Sequence, residues 1–266
     1  DKIRYVFINI DDADFTPPRK PTVAIQADAG AALDALTDAL TGRVVLAADD
    51  ALRVKAWAQV QIDLLSPAAE LVRAMRDALP EDGIFVNELT QVGYLARLAF
   101  SVYGPRSYIG PGYQGTLGYS FPTALGAAVG GGGKRVLAIT GDGGFGWSYQ
   151  ELATARKYNL PVTLVVFNDG YFGNVRAIQR RVFGAEVAVD LQNPDFQMLG
   201  KAFGVPAVCA KTPEALCAAI RSSLSENGPV LVEVPVGEMP SPWHLLRLQP
   251  MPGLKMPDAP PHPLGQ

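Results

Sequence analysis

Asp142 sits between Gly141 and Gly143 at the end of an apolar run, and Asp169 follows 27 residues later inside Phe167-Asn168-Asp169-Gly170-Tyr171. Carboxylate oxygens beside glycine-rich turns are hard ligands, and Mg²⁺ takes a few of them together with phosphate oxygens. The pair therefore points to a site for a metal and a diphosphate. What must position it can be read on either side. Arg135 to Thr140 reads as a buried parallel strand, Gln150 to Tyr158 as a helix, and Pro161 to Phe167 as the next strand. Both acidic side chains then fall at the carboxyl ends of neighbouring strands, the edge where doubly wound sheets bind ligands.

The same alternation runs through the rest of the chain. Ile3 to Ile10 reads as a strand with nothing before it to pair with, Thr22 to Ala27 as a short strand, and Ala29 to Leu40 as a helix with Gly42 just past its end. Residues 41–65 read as a linker with some helix around Leu52 to Val60. Ser66-Pro67 has the form of an N-cap followed by proline at the first helical position. Asn193-Pro194 and Thr212-Pro213 repeat that form ahead of two later helices. A strand at Ile84 to Val86, a helix near Val92 to Phe100, a small-residue helix from Phe121 to Val129 and a closing strand at Pro229 to Pro235 complete the order. The fold class is α/β: a doubly wound parallel sheet over residues 66–240, preceded by the tail of a second α/β domain in residues 1–40. Residues 241–266 hold seven prolines and read as an irregular arm.

Composition removes several classes of function. With 266 residues, 48% hydrophobic and 18% charged, the chain has enough apolar material for a sizeable core. A net charge of −3 without a basic run gives nucleic acid no electrostatic footing. No apolar stretch approaches the roughly 20 residues that span a bilayer. Cys209 and Cys217 lack metal-type spacing and read as buried reduced thiols, in keeping with a cytoplasmic protein. Both histidines, His244 and His262, lie in the terminal region, so a catalytic histidine in the main fold is excluded.

The Gly-Asp-Gly followed by Asn-Asp at this spacing resembles the thiamin-diphosphate (ThDP) signature, in which Asn usually stands where this chain has Asp169. Residues 66–240 are similar to the diphosphate-binding domain of the acetolactate synthase, benzoylformate decarboxylase and pyruvate decarboxylase superfamily. That resemblance implies Mg²⁺ ligation by Asp142, Asp169 and the main-chain carbonyl of Tyr171. It implies that Gly141, Gly143 and Gly144 bring main-chain N–H groups near the phosphates, with the following helix directing its positive end at them. Gly115, Thr116 and Leu117 match the segment that cradles the cofactor rings, Leu117 as an apolar wedge or else as an ordinary core leucine. Thr90 and Gln91 match a loop touching the diphosphate, against the alternative of a solvent loop. Phe172 and Gly173 continue the metal loop. Asn174 and Val175 are substrate-pocket candidates, with structural roles as the alternative. Arg176, Arg180 and Arg181 read as a solvated helix face, and Gln150-Glu151 as a cap or packing element.

The resemblance further implies a 2-oxo acid decarboxylase or carboligase of acetolactate synthase style acting on a small 2-oxo acid. A simple decarboxylase or 2-hydroxyacyl lyase is the alternative, and a catalytically inactive scaffold subunit is a third reading. FAD is left open. The glutamate that activates the pyrimidine belongs, in that family, to a separate pyrimidine-binding domain. No counterpart is found in this chain, and neither Glu88 nor Glu151 is given that role. A partner chain or segment carrying that domain is therefore expected, within a homodimer or tetramer. Gly141-Asp-Gly-Gly-Phe-Gly146 also fits a nicotinamide-binding spacing, yet that reading sets an acidic residue against a pyrophosphate and gives Asn168-Asp169 no role.

Overall fold

The computed structural model describes residues 4–16, 20–43, 48–112, 114–245, 258, 260–261 and 263–264. The chain divides into two compact units, Asp1–Arg53 and Val54–Gln266. In the first, β1 (Val6–Asn9) pairs in parallel with β2 (Val23–Gln26), so the opening strand finds its partner later in the chain. Helix α1 (Ala29–Leu40) follows, capped by the Asp28 carboxylate, which accepts from the Ala31 N–H at 3.1 Å. The boundary between the units falls inside α2 (Ala48–Asp63), sixteen residues of helix where the sequence suggests a linker.

The second unit holds a six-stranded, all-parallel sheet in the order β4-β3-β5-β6-β8-β7. Helix α3 (Ala68–Ala78) leads to β3 (Ile84–Val86), then α4 (Gln91–Ala99) and the edge strand β4 (Tyr108–Ile109). Helix α5 (Ser120–Gly130) returns the chain across β3 to β5 (Val136–Gly141). A single turn, α6 (Asp142–Phe145), and α7 (Leu152–Lys157) precede β6 (Val162–Asn168). After α8 (Gly173–Phe183) and α9 (Phe196–Ala202) come β7 (Ala207–Cys209), α10 (Pro213–Ser223) and β8 (Val230–Pro235). From β3 the chain builds first toward β4 and then in the opposite direction through β5 and β6. That reversal opens a crevice beyond the carboxyl ends of β3 and β5.

Both faces of the sheet are buried, which is why the strands read as continuous apolar runs. Leu137 and Ile139 of β5 pack with α3, α4 and α10, while Val136 and Ala138 pack with residues of α5, α7 and α9. The period-2 alternation of side chains thus feeds two separate cores.

Several local readings change in three dimensions. The Gln150–Tyr158 helix is broken into a 3₁₀ turn at Tyr149–Glu151 and α7. Pro67, not Ser66, occupies the cap of α3, and the Ser66 hydroxyl donates to Glu70 Oε1 at 2.6 Å. A carboxylate is the stronger acceptor for that hydroxyl. Thr212 caps α10 as expected, but α9 is capped by Asp195 rather than Asn193. Cys209 is exposed on the edge strand and Cys217 half-buried, both free, so neither is the buried thiol suggested by sequence. The described start of the terminal arm forms a 3₁₀ turn at Pro242–His244; His262 lies outside the described residues. No helix among the described residues is long and apolar enough to cross a membrane.

Phe85 of β3 is fully buried and stacks on Phe100 with ring centroids 3.9 Å apart. Replacing it by alanine should cost about 3–5 kcal/mol in urea-induced unfolding. A loss below about 1 kcal/mol would mean that the α3–α4 face of the sheet is not the rigid support described here.

Candidate functional site

Strands β5 and β6 run in register with Gly141 opposite Phe167, so the residues that follow them emerge side by side. Asp142 is buried there, with 4% of its surface exposed, and each of its oxygens is held. Oδ1 accepts from the Gly143 N–H at 2.9 Å; Oδ2 accepts from the Gly170 N–H at 2.8 Å and from Asn193 Nδ2 at 2.6 Å. Asp169 Oδ1 accepts from the Tyr171 N–H at 3.0 Å, and its Oδ2 from Gln91 Nε2 at 2.8 Å. Neither carboxylate joins a salt bridge among the described residues. A carboxylate offers about four lone-pair sites, so acceptor capacity is left on both.

The loop after β3 closes one side of this arrangement. Glu88 is buried, and its carboxylate accepts from the Gly118 N–H at 3.0 Å and from the Ser120 N–H at 3.3 Å. It thereby ties the β3 loop to the start of α5. Thr90 caps α4 by accepting from the Gly93 N–H at 2.8 Å. Gln91 spends its amide within the protein: Nε2 donates to Asp169 and to the Gly237 carbonyl at 3.2 Å, and Oε1 accepts from the Met239 N–H at 2.8 Å.

The glycines at 143 and 144 are required by contacts other than those expected. A Cβ at Gly143 would lie 2.7 Å from the Phe172 ring, and one at Gly144 would collide with the Glu88 carboxylate. The Gly143 N–H is already taken by Asp142. With only four residues, α6 presents no extended dipole to a ligand.

A cleft of about 250 Å³ opens over these residues. Its walls include Thr90, Gln91, Gly115, Leu117, Gly141, Asp142, Gly143, Gly144, Asp169, Tyr171, Phe172, Gly173, Asn174 and Val175, so the structure brings together all but one of the cofactor, metal and substrate-pocket candidates read from sequence. Thr116 is the exception: it is exposed and does not line the cleft. Leu117 lines it while 50% exposed, which removes the core-leucine alternative. Asn174 donates to the Tyr94 hydroxyl at 3.2 Å. The arginine face is not simply solvated. Arg176 lies over the Tyr171 ring at 3.6 Å and pairs with Glu186, and Arg180 pairs with Glu186 and Glu238.

Residues 90–234, more than half of the chain, match the family described as thiamine pyrophosphate enzyme, C-terminal TPP binding domain. The chain belongs to that family. Among its relatives is a probable 2-ketoarginine decarboxylase AruI of Pseudomonas aeruginosa, 31% identical over 235 residues, which are 85% of this chain and 42% of that protein. The acetolactate synthase isozyme 2 large subunit of Escherichia coli is 29% identical over 91% of this chain and 44% of its own length. The chain thus spans less than half the length of these curated relatives. A ThDP-dependent 4-hydroxybenzoylformate decarboxylase from Rhodococcus jostii RHA1 has the same fold, with a TM-score of 0.68, 24% identity and coverage of 88% of this chain and 44% of that one.

Three carboxyl groups of this ThDP-family domain titrate above their ordinary values. Burial raises Glu88, opposed by hydrogen bonds from Thr140, Gly118 and Ser120. Burial also raises Asp142 against its donors Asn193, Gly143 and Gly170. Asp169 is raised by burial and then by the Asp142 charge, with Tyr171, Gln91 and Arg176 acting the other way. Two residues in this network had no signal in sequence reading. Glu88 had only its place in the β3 loop, and Asn193 resembled a helix cap.

Unfolded Glu88 titrates near its ordinary 4.5, whereas the folded carboxyl keeps its proton to higher pH. Above 4.5 the folded state therefore binds more protons than the unfolded one, and stability falls as pH rises until the buried group has ionised. Asp142 and Asp169 slope the same way. Glu88→Gln should make the fall in urea midpoint with rising pH shallower; an unchanged slope would place the responsible ionisation elsewhere.

Proposed function

We propose that the cleft holds the diphosphate of ThDP through Mg²⁺, as part of an enzyme that decarboxylates a small 2-oxo acid. One observation carries this reading. Two neighbouring carboxylates, Asp142 and Asp169, lie just past the carboxyl ends of β5 and β6 with raised pKa values and, among the described residues, no salt bridge to either. Burying two like charges side by side is costly, and a divalent cation with oxygen preference relieves that cost.

In this reading Asp142, Asp169 and the Tyr171 carbonyl hold the metal. Gly141, Gly143, Gly144, Phe172 and Gly173 shape the wall around the diphosphate, where bulk is excluded by the Phe172 ring and the Glu88 carboxylate. Thr90 keeps its hydroxyl proton for a phosphate oxygen while capping α4. Gln91, with its amide fully engaged, orients Asp169 instead of touching the ligand. Leu117, half exposed in the cleft, supports the cofactor rings beside the Gly115 carbonyl. The bound cofactor supplies an electron sink for the carbanion left when CO₂ departs. Asn174 and Val175 border the space left for the 2-oxo acid side chain.

Acetolactate synthase-like carboligation, in which a second carbonyl compound is the acceptor, is the activity favoured by the similarity to acetolactate synthases over most of the chain. Simple decarboxylation is the second reading, favoured by the likeness to a decarboxylase at 31% identity. In both, the activating glutamate is supplied by a pyrimidine-binding domain on another segment or chain, within a homodimer or tetramer.

Calorimetric titration of ThDP should show binding that requires Mg²⁺, and Asp142→Ala should weaken it more than about 100-fold, beyond what loss of an outer hydrogen bond costs. ThDP binding that ignores both Mg²⁺ and Asp142→Ala would remove the reading. Acetolactate against aldehyde, assayed from pyruvate with the holoenzyme, separates the two activities.

A further inference from the structure

Asn193 stands ahead of α9 in a position that a helix cap would take, yet Asp195 performs that task by accepting from the Met198 N–H at 2.8 Å. Its side chain turns instead to Asp142 and Asn168. Nδ2 donates one hydrogen to Asp142 Oδ2 at 2.6 Å and the other to Asn168 Oδ1 at 2.9 Å. Asn168 Nδ2 donates to Glu233 Oε1 on β8 at 2.7 Å, and Glu233 Oε2 accepts from Gln197 Nε2 at 2.5 Å. Four side chains from the end of β6, β8, the 193 loop and α9 thus form one line that ends on Asp142.

Between Glu233 and Asp142 the direction of every bond follows from these two carboxylates. A carboxylate only accepts, so Glu233 makes Asn168 present its NH₂ group on that side and its carbonyl oxygen toward Asn193. That oxygen and the Asp142 carboxylate are both acceptors, and only the NH₂ group of Asn193 satisfies the two together. Turning the Asn193 amide over would set its oxygen against Asp142. The β8 carboxylate therefore specifies, through two amides, that Asp142 receives a donor.

We infer that Asn193 is a positioning residue for the metal-ligating carboxylate of Asp142, with its amide orientation set through Asn168 by Glu233. This rests on the Mg²⁺–ThDP reading above. Asn193 and the Gly170 N–H occupy Oδ2 while Gly143 holds Oδ1 through one lone pair, which fixes the carboxylate plane and leaves the second lone pair of Oδ1 for the cation. Outer partners of this kind tune metal affinity by about 10- to 100-fold.

The test is direct Mn²⁺ binding, followed by electron paramagnetic resonance in the presence of ThDP, on the protein and its N193A, E233A and E233Q variants, with thermal melting alongside. N193A should bind Mn²⁺ about 10- to 100-fold more weakly, at a melting temperature that keeps the protein folded through the titration. E233A should follow N193A in direction. E233Q should bind Mn²⁺ as the unaltered protein does, because its remaining carbonyl oxygen still accepts from Asn168; this rescue separates orientation from charge. N193A with unaltered Mn²⁺ affinity would overturn the inference and leave the metal site standing. E233A and E233Q losing equal affinity would overturn the relay through Asn168. Failure of the unaltered protein to bind Mn²⁺ with ThDP, in an assay where D142A behaves identically, would instead bring down the metal reading itself.

Discussion

Placing Asp142 and Asp169 next to each other, largely out of water, is the constraint from which the rest of the site follows. Desolvation raises the cost of ionising both, and at Asp169 the Asp142 charge adds to it. The protein answers with main-chain N–H groups from Gly143, Gly170 and Tyr171 and with the amides of Asn193 and Gln91. Among the described residues it supplies dipoles in place of a paired lysine or arginine, and that choice leaves the negative charge of the pair uncompensated.

The parallel sheet makes the placement reproducible. Register between β5 and β6 carries both acidic residues to one edge, and the two cores on opposite faces hold the strands against sliding. Glu88 then pins the β3 loop to the start of α5, so that Leu117 stays at the rim of the cleft. The close approach of Glu88 to Gly144, and of Phe172 to Gly143, explains why side chains are absent there. The space that a side chain at Gly143 or Gly144 would need is already filled by the protein itself.

Much of the fold was legible because apolar runs of the right length can satisfy their backbone hydrogen bonds in few ways. Ile84–Val86 was read with the bounds observed, and the strands ending at Gly141 and Asn168 were read to within one residue at each end. Positions in the cleft were legible wherever a residue type carries its own chemistry: Asp142, Asp169 and Leu117 all line it. Reading was less successful where a polar side chain had more than one partner within reach. Ser66 and Asn193 look like caps by spacing, but each donates to a nearby carboxylate while the following Pro67 and Asp195 take the cap positions. Gln91 was assigned to the ligand and turns out to brace Asp169 and the segment at Gly237 and Met239. Thr116 shares a motif with Leu117 and yet lies outside the cleft.

The amino-acid sequence by itself determined the four central strands β3, β5, β6 and β8 with most of the helices between them, the parallel class of sheet and the two acidic residues at its edge, but not the edge strands β4 and β7. The features it determined depend on local periodicity and on residue chemistry, which are properties of neighbours along the chain. Tertiary structure alone decided which donors hold each carboxylate, why Glu88 is buried and where the Asn193 amide points. Apart from the adjacent Gly143 and Tyr171 N–H groups, those partners come from segments separated by 25 to 78 residues along the chain, and only the packed sheet brings them within a hydrogen bond of one another.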